Sequence, residues 1–316
     1  LSNMINITEF LLMGFPGNQV QQRLCAMLFL LIYLAALIAN LLVITITTID
    51  QHLQSPMFFF LKNLSLIDIC YISVTIPKSI VNSLTGSHYI SLLGCVSQIF
   101  LFIFFAGTEF ALLLVMSYDR YVAICHPLHY ETILNRGSCV QMMTAAWLSG
   151  CAYGSLHAAG IFSFYFCGSR IVHQFFCDVP SLLLLICSGE QTLEYAFIIA
   201  SFAFSFVCFL FMIVSYVYIF SAVLRIPSAQ GKLKTFSTCI PHLLVVTLFL
   251  FSGSVTYFGT THILASSQNL FMSLLYSILP PSINPLIYSL RNKDLRAALC
   301  KILHVYIIQK NSMRNE

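Results

Sequence analysis

The sequence predicts an all-α fold: a seven-transmembrane helix bundle with a short amphipathic eighth helix and the N-terminus outside. Three observations carry this. Of 316 residues, 59% are apolar and 8% charged, against about 25% charged in a soluble domain, so there is too little charge to cover a soluble surface. Seven windows reach the length of about 20 mostly apolar residues that a spanning helix needs. Twelve of the fifteen Lys and Arg residues fall on one side of those windows, which the positive-inside rule assigns to the cytoplasm. The mean hydropathy of +0.88 also excludes disordered, collagenous and nucleic-acid-binding chains.

The windows are residues 24–48, 57–82, 95–125, 139–162, 195–224, 236–258 and 270–290. They divide the chain into an extracellular N-terminus (1–23), a transmembrane domain (24–290) and a cytoplasmic amphipathic helix with tail (291–316). Connectors are short except 163–194, which carries three cysteines. No fixed-period repeat appears, so the inverted repeats of many transporters find little support. The chain opens on Leu1 and shows no basic start or small-residue cleavage site, so the first span is expected to act as the membrane-targeting signal.

Two features agree with the orientation. Asn6-Ile7-Thr8 is a glycosylation sequon on the outer side, whereas Asn63-Leu64-Ser65 lies inside the second span, out of reach of a glycan. Cys95, at the outer end of the third span, joins Cys167, Cys177 and Cys187 of the long outer loop. That is an even number in the oxidising compartment, and spacing leaves three pairings open. The other eight cysteines read as buried apolar thiols.

Inside the spans, an ionisable residue costs about 2.5–3.5 kcal/mol at a helix centre. Asp68 and Glu109 stand mid-span, with Asn40 and Asn284 at compatible depth. Two carboxylates facing one interior cannot both stay ionised without a cation. The expectation is that Asp68 and Glu109 hold a sodium ion as an allosteric ligand or share a proton; no other cofactor is expected. The alternative is interhelical hydrogen bonding alone.

The third span ends in Met116-Ser117-Tyr118-Asp119-Arg120-Tyr121-Val122-Ala123-Ile124-Cys125, and the seventh in Pro281-Ser282-Ile283-Asn284-Pro285-Leu286-Ile287-Tyr288. Pro285 permits a kink. Residues 293–303 read as an amphipathic helix on the inner membrane face.

Seven spans with these motifs resemble the rhodopsin-like G-protein-coupled receptors over nearly the whole chain. The resemblance narrows to the olfactory (odorant) receptors. Pro56-Met57-Phe58-Phe59-Phe60-Leu61 is similar to their second-helix opening, and the string 116–125 matches their third-helix signature except at Ser117, where alanine is usual. Ser215-Tyr216, Lys234-Thr235-Phe236-Ser237-Thr238-Cys239, the run 284–292 and His173-Gln174-Phe175-Phe176-Cys177-Asp178 also fit. The resemblance implies disulfides Cys95–Cys177 and Cys167–Cys187. It implies that Asp119, Arg120 and Tyr121 hold the inactive state and engage a G protein, with Tyr216, Asn284, Pro285 and Tyr288 in the switch. Two further departures stand out: Pro241 replaces the usual serine before His242, and Phe249-Leu250-Phe251 replaces an aromatic-aromatic-glycine run.

For a receptor-like bundle, counting helical turns back from Arg120 puts Phe102, Ile103, Ala106 and Gly107 on one inward stripe. Similar counts give Phe197, Ser201 and Phe204 in the fifth span, Gly253, Ser254 and Tyr257 in the sixth, and Leu274 and Ser277 in the seventh. Such a lining suits a small, neutral, volatile organic ligand. His157 and His262 are expected to face water, the alternative being polar anchors for a ligand. The outer half of the third span has no carboxylate for an amine ligand, and the seventh has no lysine for a retinal Schiff base. Zinc-type spacing, a phosphate-binding glycine loop and a Ser-His-Asp set are also missing from the sequence, so no enzyme is expected.

The expected function is an odorant receptor of the plasma membrane. It would activate an olfactory stimulatory G protein and raise cyclic AMP, with membrane lipids as neighbours and no nucleic acid as partner. The competing readings are a non-olfactory rhodopsin-like receptor for a lipid or other small ligand, and a transporter. Few charges in the outer loops (Arg170, Asp178, Glu190, Glu194) argue against a charged peptide ligand.

Overall fold

The computed structural model describes residues 8–14, 18–167, 169–187, 191–225, 228–259, 266–291, 295–298 and 300. Asn6 and His262 lie outside the described residues, as does most of the expected eighth helix. Within that helix, Leu295 and Ala298 are buried while Arg296 and Ala297 are exposed, an amphipathic division.

The helices are α1 (Gln19–Ile49), α2 (Pro56–Thr85), α3 (Leu92–Cys125), the single turn α4 (Tyr130–Ile133), α5 (Arg136–Phe162), the short α6 (Val179–Leu183), α7 (Gln191–Leu224), α8 (Ala229–Gly259) and α9 (Ser266–Arg291). Each of the seven long helices contains one of the predicted windows. The extra turns come from polar caps that hydropathy does not register. At α1, Asn18 and Gln21 form a capping box, with both bonds at 3.0 Å. Pro56 opens α2, and Gly86 closes it at a φ of 68°, which glycine adopts without steric cost. Ser91 Oγ accepts from the Gly94 amide at 3.1 Å to start α3. Asn135 Oδ1 accepts from Ser138 at 2.9 Å to start α5.

The burial pattern suits hydrocarbon surroundings. Leu31, Phe204 and Phe211 point outward, each more than 60% exposed, while Asn40, Asp68, Glu109 and Asn284 are at most 1% exposed. Helix α3 packs against α2, α5 and α7. At the α3–α5 seam the small residues Gly150 and Gly154, one turn apart, let the backbones touch. A Cβ at Gly150 would sit 2.6 Å from Phe104 O, and one at Gly154 would sit 2.8 Å from Phe100 O. Gly107 belongs to the same seam, because a Cβ there would meet Tyr153 Cδ1 at 3.2 Å and Gly150 Cα at 3.4 Å. Its expected place on the ligand stripe is therefore corrected: Gly107 faces α5. Neither flanking backbone can yield, so Gly154→Leu is expected to lower stability by at least the ~1–3 kcal/mol typical of overpacking. A thermal unfolding curve in nanodiscs beside Gly154→Ala measures it; equal curves for parent and leucine variant would refute the seam.

Helix α9 contains Pro280, Pro281 and Pro285, so the carbonyls four residues earlier lose their helical donors. Two of these are met from other helices. Tyr71 OH donates to Tyr276 O at 3.1 Å, and Asn40 Nδ2 donates to Pro281 O at 3.0 Å. In a bilayer no water stands in for such partners. Tyr71→Phe, which keeps the ring and removes only the donor, is expected to cost about 1–3 kcal/mol. The same unfolding assay tests it, and an unshifted midpoint would contradict it.

At the end of the bundle that carries the disulfides, β1 (Glu9–Leu12) lies between β2 (Tyr89–Ser91) and β3 (Ile171–Val172). It runs antiparallel to β2 with Phe10 opposite Ile90, and parallel to β3 with Leu11 opposite Ile171. Phe10 and Leu12 are fully buried. The N-terminal segment thus supplies the central strand of a small cap, which its four-residue run Glu9-Phe10-Leu11-Leu12 barely announces.

Candidate functional site

The candidate site has three levels along the bundle. At the disulfide end, Cys95 pairs with Cys177 and Cys167 with Cys187, with Cα atoms 5.5 and 4.8 Å apart. This matches the pairing that the resemblance implied. The bonds pull the loop after α5 into the mouth of the bundle, where Phe175, Phe176 and Cys177 are buried. Gln98 anchors it, accepting from the Cys177 amide at 2.9 Å and donating to Val74 O at 3.0 Å.

Asp178 caps α6 by accepting from the Ser181 amide at 3.2 Å, and Tyr276 OH donates to its other oxygen at 3.4 Å. Burial outweighs these bonds and pushes the Asp178 carboxyl up from 3.8 to about 6. Because the folded value is the raised one, the stabilisation is complete below the unfolded value of about 3.9 and is lost as pH rises through about 6. A shift of about two units corresponds to about 3 kcal/mol. Asp178→Asn is expected to flatten the fall in stability between about pH 4 and about pH 7. Unfolding midpoints of parent and variant across that range test this, and parallel curves would contradict it.

Beneath the loop, Phe102 is buried against Tyr71, Phe176 and Tyr276, with ring centroids 4.8, 5.3 and 5.5 Å away. Ile103 is buried beside it, and Ala106 is half-buried. Phe197, Ser201, Ser254, Tyr257 and Leu274 are half-buried as well, and Phe202 packs edge-on against Tyr257 at 5.3 Å. Half-buried Gly253 borders open space, since a Cβ there would meet nothing within 4 Å among the described residues. Two expectations need correction. Phe204 is 69% exposed and points out of the bundle, because the count along the fifth span lacked a fixed reference direction. Ser277 is buried, but its hydroxyl donates to Ser273 O at 2.7 Å, so it does not offer its proton to a ligand.

A third correction concerns His157, which is 1% exposed instead of facing water. Its Nδ1 lies 2.9 Å from Glu194 Oε1, and the ring packs on Tyr153 and Phe197 at 4.7 and 4.8 Å. Gly160 leaves room for the Glu194 carboxylate beside α5. The Tyr153 and Ser201 side chains stand close to each other in the same region. The α5–α7 contact is therefore polar near the disulfide end, which the sequence hinted at only through a histidine in one apolar window and a glutamate at the start of another.

At the centre, Asn284 Nδ2 donates to Asp68 Oδ1 at 3.1 Å and to Glu109 Oε1 at 2.8 Å. One amide thus joins α2, α3 and α9. Glu109 Oε2, Asn284 Oδ1 and Asn40 Oδ1 are buried with no hydrogen-bond partner among the described residues. Oxygen acceptors of this kind suit a hard monovalent cation, although no cluster of three His, Cys, Asp or Glu side chains occurs among the described residues.

At the other end, Tyr130 OH donates to Asp119 Oδ1 at 2.8 Å, tying α4 to α3. The Arg120 guanidinium is buried, lies 6.0 Å from the Tyr288 ring centroid and stands close to the Tyr216 hydroxyl. Tyr216 OH is 2.8 Å from His242 Nδ1, so α3, α7, α8 and α9 meet around one arginine. Tyr121 turns aside, with its hydroxyl 3.2 Å from His126 Nε2 and its ring edge-on to Tyr218. Helix α8 continues through position 241. Beside half-buried Leu250, Phe249 stacks on Phe110 at 6.3 Å, so an aromatic contact between α8 and α3 exists one residue before the position where the family pattern places it.

A membrane bundle of seven helices with a loop-capped end, a polar centre and an arginine held among tyrosines defines the class of seven-helix receptors. Residues 29–305 match the olfactory receptor family. The chain is 52% identical over 297 residues to olfactory receptor 14L1 of Homo sapiens, covering 94% of this chain and 91% of that protein. It is 50% identical over 310 residues to human olfactory receptor 14A16, covering 98% and 100%. It is also 50% identical over 301 residues to human olfactory receptor 14J1, covering 95% and 94%. The chain belongs to the olfactory receptor family, and is thus an odorant receptor that crosses the membrane several times, and not an enzyme.

Proposed function

We propose that this receptor binds a small, neutral, volatile organic molecule between α3, α7, α8 and α9 near the disulfide end. Binding drives an olfactory stimulatory G protein at the Arg120 end and raises cyclic AMP. The observation that carries the reading is the half-buried Gly253, where a Cβ would meet nothing within 4 Å among the described residues. On this reading the N-terminus and the disulfides are extracellular and Arg120 is cytoplasmic, in line with the Lys and Arg bias. A ligand shifts the receptor only by its differential affinity for two states. The hydrogen bond between Tyr216 of α7 and His242 of α8 is a contact that an outward swing of α8 breaks.

Asp68, Glu109 and Asn284 would hold a sodium ion, which supplies positive charge to two carboxylates buried together. Sodium titration of thermal stability in the parent, Asp68→Asn and Glu109→Gln checks this reading. A rise in the parent alone supports it, and no sodium dependence removes the ion.

Cells expressing the chain with an olfactory-type G protein, given a broad volatile panel, test the main reading. Cyclic AMP is expected to rise for some members in the parent and to fall at least tenfold in potency for Gly253→Phe, which fills the space. Equal potency in the variant would move the ligand elsewhere.

A further inference from the structure

The two disulfides stand in different surroundings. Cys95 and Cys177 are 0% exposed, sealed from solvent, whereas Cys167 is exposed and Cys187 half-buried. Beside the Cys167–Cys187 bond, Tyr165 is 59% exposed, and the half-buried rings of Phe162 and Phe166 lie 6.0 Å apart. The stretch 163–177 carries one Arg or Lys, Arg170, and no carboxylate, so it does not repel an incoming anion.

The exposed bond is also built to open without loss of the loop. The Cys167 amide donates to Leu185 O at 2.9 Å and the Cys187 amide to Tyr165 O at 3.0 Å, with Phe166 paired opposite Ile186. This backbone ladder keeps the two sulfurs together when the bond between them breaks, and Cys95–Cys177 still pins the middle of the loop. Disulfides exchange by attack of a thiolate on one sulfur, access limits the rate, and exposed bonds are the labile ones. We propose that Cys167–Cys187 is a thiol-exchange site, at which the receptor takes up a small-molecule thiol covalently from the outer medium. The thiolate attacks the sulfur of exposed Cys167. A new S–S bond forms as the Cys167–Cys187 bond breaks, and the electron pair leaves on Cys187, which takes up the proton that the thiol lost. The products are a mixed disulfide on Cys167 and a free thiol at Cys187. Attack by Cys187 on the mixed disulfide reverses the step and expels the thiol, and neither direction needs an outside oxidant. While the thiol is attached, the base of the loop that carries Phe176 over Phe102 is no longer cross-linked. The proposal rests on the outward placement of the disulfide end and not on the odorant or the G protein.

The test uses the full chain in phosphatidylcholine nanodiscs, with its free thiols first capped by N-ethylmaleimide. One sample then meets glutathione and another 1-butanethiol, and newly freed thiols are capped with isotope-labelled N-ethylmaleimide before peptide mass mapping. The expected result is a thiol adduct on Cys167 and the isotope label on Cys187, with Cys95–Cys177 opening about tenfold more slowly or not at all. In a sample left without the second capping, removing the thiol should restore the Cys167–Cys187 bond without added oxidant. Reaction with both thiols assigns the site to small thiols at large; reaction with one alone names the peptide thiol or the volatile thiol as its source. An intact Cys167–Cys187 bond under both thiols, in a chain whose four cysteines all react once it is denatured, overturns the site. Equal opening of Cys95–Cys177 overturns the part given to exposure. An adduct on Cys187 alone overturns attack at Cys167, and a bond that stays open after the thiol is removed overturns reversible exchange.

Discussion

Asn284→Leu is expected to destabilise the receptor by about 1.5–3 kcal/mol, the worth of a buried hydrogen bond to a charged group. The size follows from what the amide does. Asp68 and Glu109 are at most 1% exposed, and both are hydrogen-bonded to the same Nδ2 atom. Leucine fits the volume but leaves two carboxyl groups facing each other with no donor between them. An ordinary interhelical hydrogen bond in a bilayer averages only about 0.6 kcal/mol. A loss of that small size would therefore show that the carboxyl groups satisfy each other without the amide. Unfolding of purified receptor in nanodiscs separates the two magnitudes. The double variant Asp68→Asn with Asn284→Leu should recover part of the loss, because one carboxylate is gone and the effects of contacting residues are not additive.

The second large effect is expected at the outer cap. Removing the Cys95–Cys177 bond by Cys95→Ala should cost about 2–5 kcal/mol. Removing Cys167–Cys187 should cost less. The first bond spans 82 residues and the second 20, and the loop-closure difference between them amounts to about 1 kcal/mol. The first bond also holds Phe176 and Cys177 in the mouth of the bundle, where Phe176 contacts Phe102 and Tyr276. Its loss should weaken ligand response along with stability. Unfolding midpoints and ligand potency for both alanine variants test the order. A larger effect from Cys167→Ala would contradict the role given to the longer link.

The seven spans were readable because hydrocarbon demands apolar length, and length is a property of sequence alone. The polar centre was readable for the same reason, since mid-span carboxylates stand out against an apolar background and must face inward. Direction around a helix, and the partner that a side chain meets, are not carried by the sequence pattern. Phe204 faces out instead of into the bundle, because each residue turns the helix by about 100° and the fifth span offers no landmark comparable to Arg120. Gly107 lies close to the expected stripe, yet its missing side chain serves the approach of Gly150. His157 looked like an edge residue until Glu194, 37 positions later, proved to be its partner. The carbonyls freed by the α9 prolines were equally hidden, because their donors Tyr71 and Asn40 belong to other helices.

On the proposed function, ligand occupancy near the disulfide end and coupling at Arg120 are separable within one bundle. The most direct measurement takes a volatile active on the parent and follows two responses, thermal stabilisation of the nanodisc-bound receptor and cyclic AMP in cells, in the parent and in Arg120→Ala. Stabilisation is expected in both proteins and cyclic AMP in the parent alone. A variant that still raises cyclic AMP, or one that no longer gains stability from the ligand, would contradict it.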